Sequence, residues 1–68
     1  MKTETFIAQR IREARERQGW TQEKLAIEAE LTSRTIINVE AGKGINLGTL
    51  AKIADALKCP VAELLTRA

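Results

Sequence analysis

Between Thr21 and Glu40 the sequence holds two short apolar-patterned segments with almost no chain between them. Leu25, Ala26 and Ala29 recur at the spacing of one helical face, and so do Ile36 and Val39. Thr21 is a good cap at the head of the first segment, followed by Gln22 and Glu23 near the positive end of the helix dipole. Thr32 or Ser33 is a cap of the same kind for the second. Only Glu30, Leu31 and Thr32 are left to redirect the chain, so two short helices must meet at a turn of about three or four residues. Leu31, the one apolar residue of that turn, reads as a plug between them.

The flanking segments are helical by the same test. Helix one runs roughly from Thr3 to Gln18, with Ile7, Ile11 and Ala14 on one face and Arg10, Arg12, Glu13, Glu16 and Arg17 around the rest. Gly19-Trp20, Gly42-Lys43-Gly44 and Cys59-Pro60 punctuate the chain. Helix four begins after Asn46, with Leu47, Leu50, Ile53, Ala54 and Leu57 as its stripe. Helix five begins near Pro60, which a first turn tolerates, and carries Val61, Leu64 and Leu65. Nowhere do apolar and polar residues alternate for long enough to signal a strand. The expected architecture is all-α, five short helices in a single domain over residues 1–68.

A chain of 68 residues has room for one thin core, since a domain this size buries only about 60% of the surface its unfolded chain exposes. With one Cys and no His, neither a disulfide nor a zinc site can reinforce it. Helix packing must suffice, with or without a second subunit. The lone Cys59 suits a reducing compartment. Apolar runs never exceed three residues, as in Phe6-Ile7-Ala8, which rules out a membrane span and a signal peptide. A cytoplasmic protein is expected. The net charge of +2 says little about nucleic acid.

The outward face of helix three says more. With Ser33 at the origin and about 100° per residue, Ile36 falls at about 300° and Val39 at about 240°, so the core lies at about 270°. Arg34 falls at about 100°, Ile37 at about 40°, Asn38 at about 140° and Ala41 at about 80°, all facing outward with Ser33 at the edge. An Arg that can fork onto guanine, an Asn that can pair with adenine, and Ile37 or Ala41 against a thymine methyl suit a major groove. Ordinary solvated surface is the plainer reading of Arg34 and Asn38, and a single exposed Ile argues only mildly against it. Glu40 falls at about 340°, the margin of the core, where a carboxylate needs a partner. Arg15, on the margin of helix one's stripe, is the best candidate for a clamp between helices one and three.

These residues resemble a known family, the phage-repressor-like helix-turn-helix domains, also called Xre-type or Cro-and-repressor-type. The likeness rests on Arg15 with Gly19-Trp20-Thr21-Gln22-Glu23-Lys24-Leu25-Ala26, on Ser33-Arg34-Thr35-Ile36, and on Glu40-Ala41-Gly42-Lys43. It continues through Leu50, Ile53-Ala54 and Ala56-Leu57 to Val61-Ala62-Glu63-Leu64-Leu65, covering residues 7 to 65. The resemblance implies a lambda-repressor-like fold and a sequence-specific regulator of transcription, a repressor, that reads a double-stranded operator as a homodimer. It implies that Gln22, Thr32, Thr35 and Lys43 hold phosphates and that Ser33, Arg34, Ile37 and Asn38 read bases. It also implies an Arg–Glu ion pair at Arg15 and Glu40. The sequence departs from the family at Glu30 and Lys58, where Gly is usual, and at Ile45, where Pro is usual before helix four. Either Glu30 carries strain in a left-handed conformation, or that turn has a different shape.

An enzyme is not expected: without His or Tyr, Cys59 lacks a base and reads as core packing. No cofactor or small-molecule ligand is indicated. The rival is a protein-binding module of the antitoxin kind, because Phe6, Ile27 and Ile37 lie off the stripes of their helices and offer a partner surface.

Overall fold

The computed structural model describes residues 2–66. It contains α1 (Thr3–Arg17), α2 (Gln22–Ala29), α3 (Ser33–Glu40), α4 (Leu47–Leu57) and α5 (Val61–Leu65), with no strand among the described residues. One core joins all five: Ile11, Leu25, Ile36 and Ile53 are fully buried, and Leu64 brings in α5. Arg10 Nη2 donates to the Glu63 carbonyl at 2.9 Å and ties α1 to α5.

The helix starts follow from side-chain chemistry. The hydroxyls of Thr21 and Thr32 accept the N–H of Lys24 and Thr35, and the Asn46 carboxamide accepts that of Thr49. Each supplies an acceptor to an amide that the helix itself cannot satisfy.

The ends of α1 to α4 follow one rule. After α2, Leu31 N–H reaches back to the Ala26 carbonyl at 2.8 Å and Glu30 N–H to that of Ile27 at 3.2 Å. This paired closure requires a left-handed residue between helix and loop. Gly19, Glu30, Gly42 and Lys58 fill that place after α1, α2, α3 and α4, with φ of 74°, 57°, 82° and 57°. The residue after it folds back: Trp20, Leu31 and Cys59 all pack against the core. Leu31 is thus the plug between α2 and α3, and of the two alternatives Glu30 takes the left-handed conformation, at the expense of backbone strain.

That strain is removable. A left-handed residue with a Cβ costs about 1–2 kcal/mol, part of which Gly's greater freedom in the unfolded chain offsets. Glu30→Gly and Lys58→Gly should therefore each stabilise the domain by about 0.5–1 kcal/mol and raise its melting temperature by several degrees. A lower melting temperature for Glu30→Gly would mean that its side chain contributes more than the backbone loses.

Two expectations need correction. Leu47 does not belong to the α4 stripe but is 71% exposed. It is the first helical residue, about 70–80° from the middle of the Leu50–Ile53–Ala54–Leu57 face, and no element covers it. Phe6, which lies off its helix's stripe and is expected from the sequence to offer a partner surface, packs against the core. Val61 also packs there, and Leu65 is the exposed large apolar residue of α5.

Candidate nucleic-acid interface

Two short helices joined through Glu30–Thr32 place α3 with one face on the core and the other in solvent. Ile36, Val39 and Glu40 are buried, while Arg34 and Ile37 are exposed. Arg34 makes no hydrogen bond or ion pair among the described residues, so its guanidinium is free to take an acceptor from outside. Ser33 and Asn38 are half-buried at the flanks of the exposed strip, so Asn38 faces out less fully than the helical period suggests.

At the head of α3 the Thr32 and Thr35 hydroxyls lie 2.9 Å apart, and Thr32 also takes the Thr35 N–H at 3.1 Å. If Thr35 donates to Thr32, the Thr32 O–H remains for an outside acceptor such as a phosphate oxygen. Past the other end of α3, Lys43 N–H donates to the Asn38 carbonyl at 2.8 Å. That bond fixes the Lys43 backbone at the end of the helix and leaves its ammonium exposed. Gly42 and Gly44 supply the left-handed backbone that the loop needs on either side.

Behind this face sits the ion pair. Arg15 Nε and Nη2 fork onto the two oxygens of Glu40 at 2.7 and 3.1 Å, and Arg15 Nη1 donates to the Trp20 carbonyl at 2.7 Å. The Glu40 side chain is only 3% exposed and Arg15 12%, so the pair is deeper than the margin position suggested. The hydrogen bond to Glu40 holds the Arg15 pKa above its ordinary value despite desolvation. Two further groups, not foreseen from the sequence, join it. Arg12 donates to the Glu40 carbonyl at 2.9 Å with its Nε 3.8 Å from the carboxylate, and Gln22 Nε2 donates to Oε1 at 3.2 Å. The spacing of Arg12 and Arg15 on one helical face was the signal for the former. The place of Gln22 depends on how the start of α2 lies over the end of α3, which no local pattern encodes. Cys59 takes no part, and burial pushes its thiol pKa up, followed by repulsion from Glu63.

The tight turn, the buried inner face of α3 and its open outer face define a helix-turn-helix domain. The helix-turn-helix family model matches residues 11–64, and the chain belongs to that family. It is 36% identical over 59 residues to the competence pilus inhibition repressor of Acinetobacter baylyi, a match over 85% of this chain and 54% of that protein. The chain thus spans about half the length of that curated relative. Among solved structures it is similar to the hypothetical transcription factor NHTF from Neisseria, with a TM-score of 0.90 and 30% identity over 96% of this chain and 76% of that one. It is also similar to the restriction-modification controller protein C.AhdI from Aeromonas hydrophila, with a TM-score of 0.85 and 34% identity over 90% and 94% of the two chains. What the chain shares with these proteins is the helix-turn-helix domain.

Proposed function

We propose that this domain is a repressor that binds a specific operator in the cytoplasm as a homodimer, laying α3 in the major groove. The observation that carries the reading is the face of α3: Arg34 and Ile37 stand free while the opposite side is locked into the core. Ser33, Arg34, Ile37 and Asn38 read base edges, and Gln22, Thr32, Thr35 and Lys43 hold phosphates. Selection of bound sequences from random duplex DNA tests this directly, and failure to enrich a consensus would overturn it.

Phosphate contacts position a protein without reading sequence. Lys43→Ala should therefore weaken binding by similar factors on the selected site and on random duplex, and reduce the salt slope by about one. A shifted consensus for this variant would move Lys43 into the base-reading set.

Two copies are needed for address. The eight residues of α3 are about 12 Å long and span only a few base pairs. The domain is 27 Å in its longest dimension, so two side by side can present their reading helices about one DNA turn apart, roughly 34 Å. Leu65, 47% exposed on α5, supports a role in the contact. Leu65→Ser should raise the concentration needed for dimers in analytical ultracentrifugation. A mass that stays monomeric at high micromolar concentration with and without DNA would end the dimer reading.

One observation favours a protein partner instead: Ile27 is 71% exposed on α2, away from the core. Salt discriminates the two, because binding through phosphates weakens steeply as salt rises and an apolar contact does not.

A further inference from the structure

Clamping α1 to α3 explains why Glu40 meets Arg15, but not why it also meets Gln22. Gln22 Nε2 donates at 3.2 Å to Oε1, the oxygen that also takes Arg15 Nη2 at 3.1 Å. A carboxylate paired with an arginine offers acceptors only, so it takes the NH₂ edge of the Gln22 carboxamide and rejects its oxygen. That settles which way the amide faces, the one choice that shape alone leaves open for a glutamine. One N–H of Nε2 is used on Glu40 and the second remains. Gln22 is also the first residue of α2, half-buried. There the backbone amides of Gln22 and Glu23 lie outside the helical ladder, since Thr21 caps only Lys24.

We infer that Glu40 is a positioning residue for DNA: its buried carboxylate holds the Gln22 amide so that the second N–H joins the open end of α2 in facing one phosphate oxygen. The inference rests on the reading of Gln22 as a phosphate contact and adds what sets it. Because the bond to Glu40 is charge-assisted, it holds the amide more firmly than a neutral acceptor would. Arg15 acts one step further back, by fixing the carboxylate with two bonds from its planar fork.

A double-mutant cycle on DNA affinity tests this. Gln22→Ala, Glu40→Gln and the double variant are compared with the unaltered chain on the selected site and on random duplex, at one salt concentration and at a temperature where circular dichroism shows all four folded. Gln22→Ala and Glu40→Gln should each weaken binding roughly fivefold on both duplexes. The double variant should be no weaker than Gln22→Ala alone. Losses that multiply in the double variant overturn the positioning role while leaving Gln22 as a phosphate contact. Full affinity in Gln22→Ala overturns both. Since Glu40→Gln also weakens the ion pair, nuclear magnetic resonance asks the same question of the unaltered chain. One Nε2 proton of Gln22 should be displaced and slow to exchange in the free protein, and should stay so when DNA shifts the other. Reversion of the first proton to its free-glutamine position on adding DNA overturns the proposal.

Discussion

Arg15→Ala should lower the stability of the domain by about 3 kcal/mol, toward the range seen when one partner of a buried ion pair is removed. The Glu40 side chain is 3% exposed, so the variant leaves a carboxylate with little access to water. Arg12 supplies partial compensation from 3.8 Å, which keeps the loss below the top of the range. The Trp20 carbonyl loses its 2.7 Å donor as well. For a domain of this length, total stability is about 3–10 kcal/mol, so the change removes a large share of it. A fall of at least 10 °C in melting temperature is expected, given about 4–8 °C per kcal/mol in domains of this size. Arg15→Lys should lie between, because an ammonium keeps the charge but not the planar fork. Equal melting temperatures for the unaltered chain and Arg15→Ala would remove the clamp.

Breaking the pair and replacing it are different experiments. Arg15→Met combined with Glu40→Leu removes both charges together, so neither is left buried alone, and should recover most of the stability. The pH dependence has a definite sign. The Arg15 pKa is raised in the folded chain. Its contribution is therefore fully present below the unfolded guanidinium pKa and fades only as pH rises through the folded one. Working pH does not reach that window.

What was legible in the sequence was chemistry confined to one turn of chain. Thr21, Thr32 and Asn46 announce helix starts because a short side-chain oxygen next to an apolar stripe can do little else there as well. Ile36 and Val39 fix the face of α3 because two buried residues determine a direction. Leu47 misled because periodicity says which residues share a face, not whether another element lies over every turn of it. Phe6 misled in the opposite way: it lies off the stripe, but its ring is long enough to reach the core from there. Glu30 and Lys58 show that a backbone role survives a change of residue when the hydrogen bonds around it are retained. The ion pair was legible as two residues and assembled as four, because its outer members depend on how α1, α2 and α3 meet.

Arg34→Ala should lose tenfold or more on the selected operator and relax the preference at one base pair of each half-site. Arg34 is the second residue of α3, exposed, with its guanidinium unengaged among the described residues. Docking of a helix-turn-helix brings the first turn of this helix to the base edges. There an arginine can donate in parallel to the O6 and N7 of one guanine, a pairing that discriminates by about 1–3 kcal/mol. Thr32 and Thr35 lie on either side of it along the chain, bonded to each other at 2.9 Å. Their mutual bond stiffens the first turn, so less freedom is lost when Arg34 engages a base. Arg34→Lys should recover part of the affinity and less of the preference, since an ammonium lacks the two parallel donors. If Arg34 touched only phosphate, Arg34→Ala would bind every duplex more weakly by the same factor, and its selected consensus would match that of the unaltered chain. Sequence selections carried out side by side on the two proteins separate these outcomes. A matching consensus would remove Arg34 from the proposed base-reading set without bearing on the proposed docking of α3.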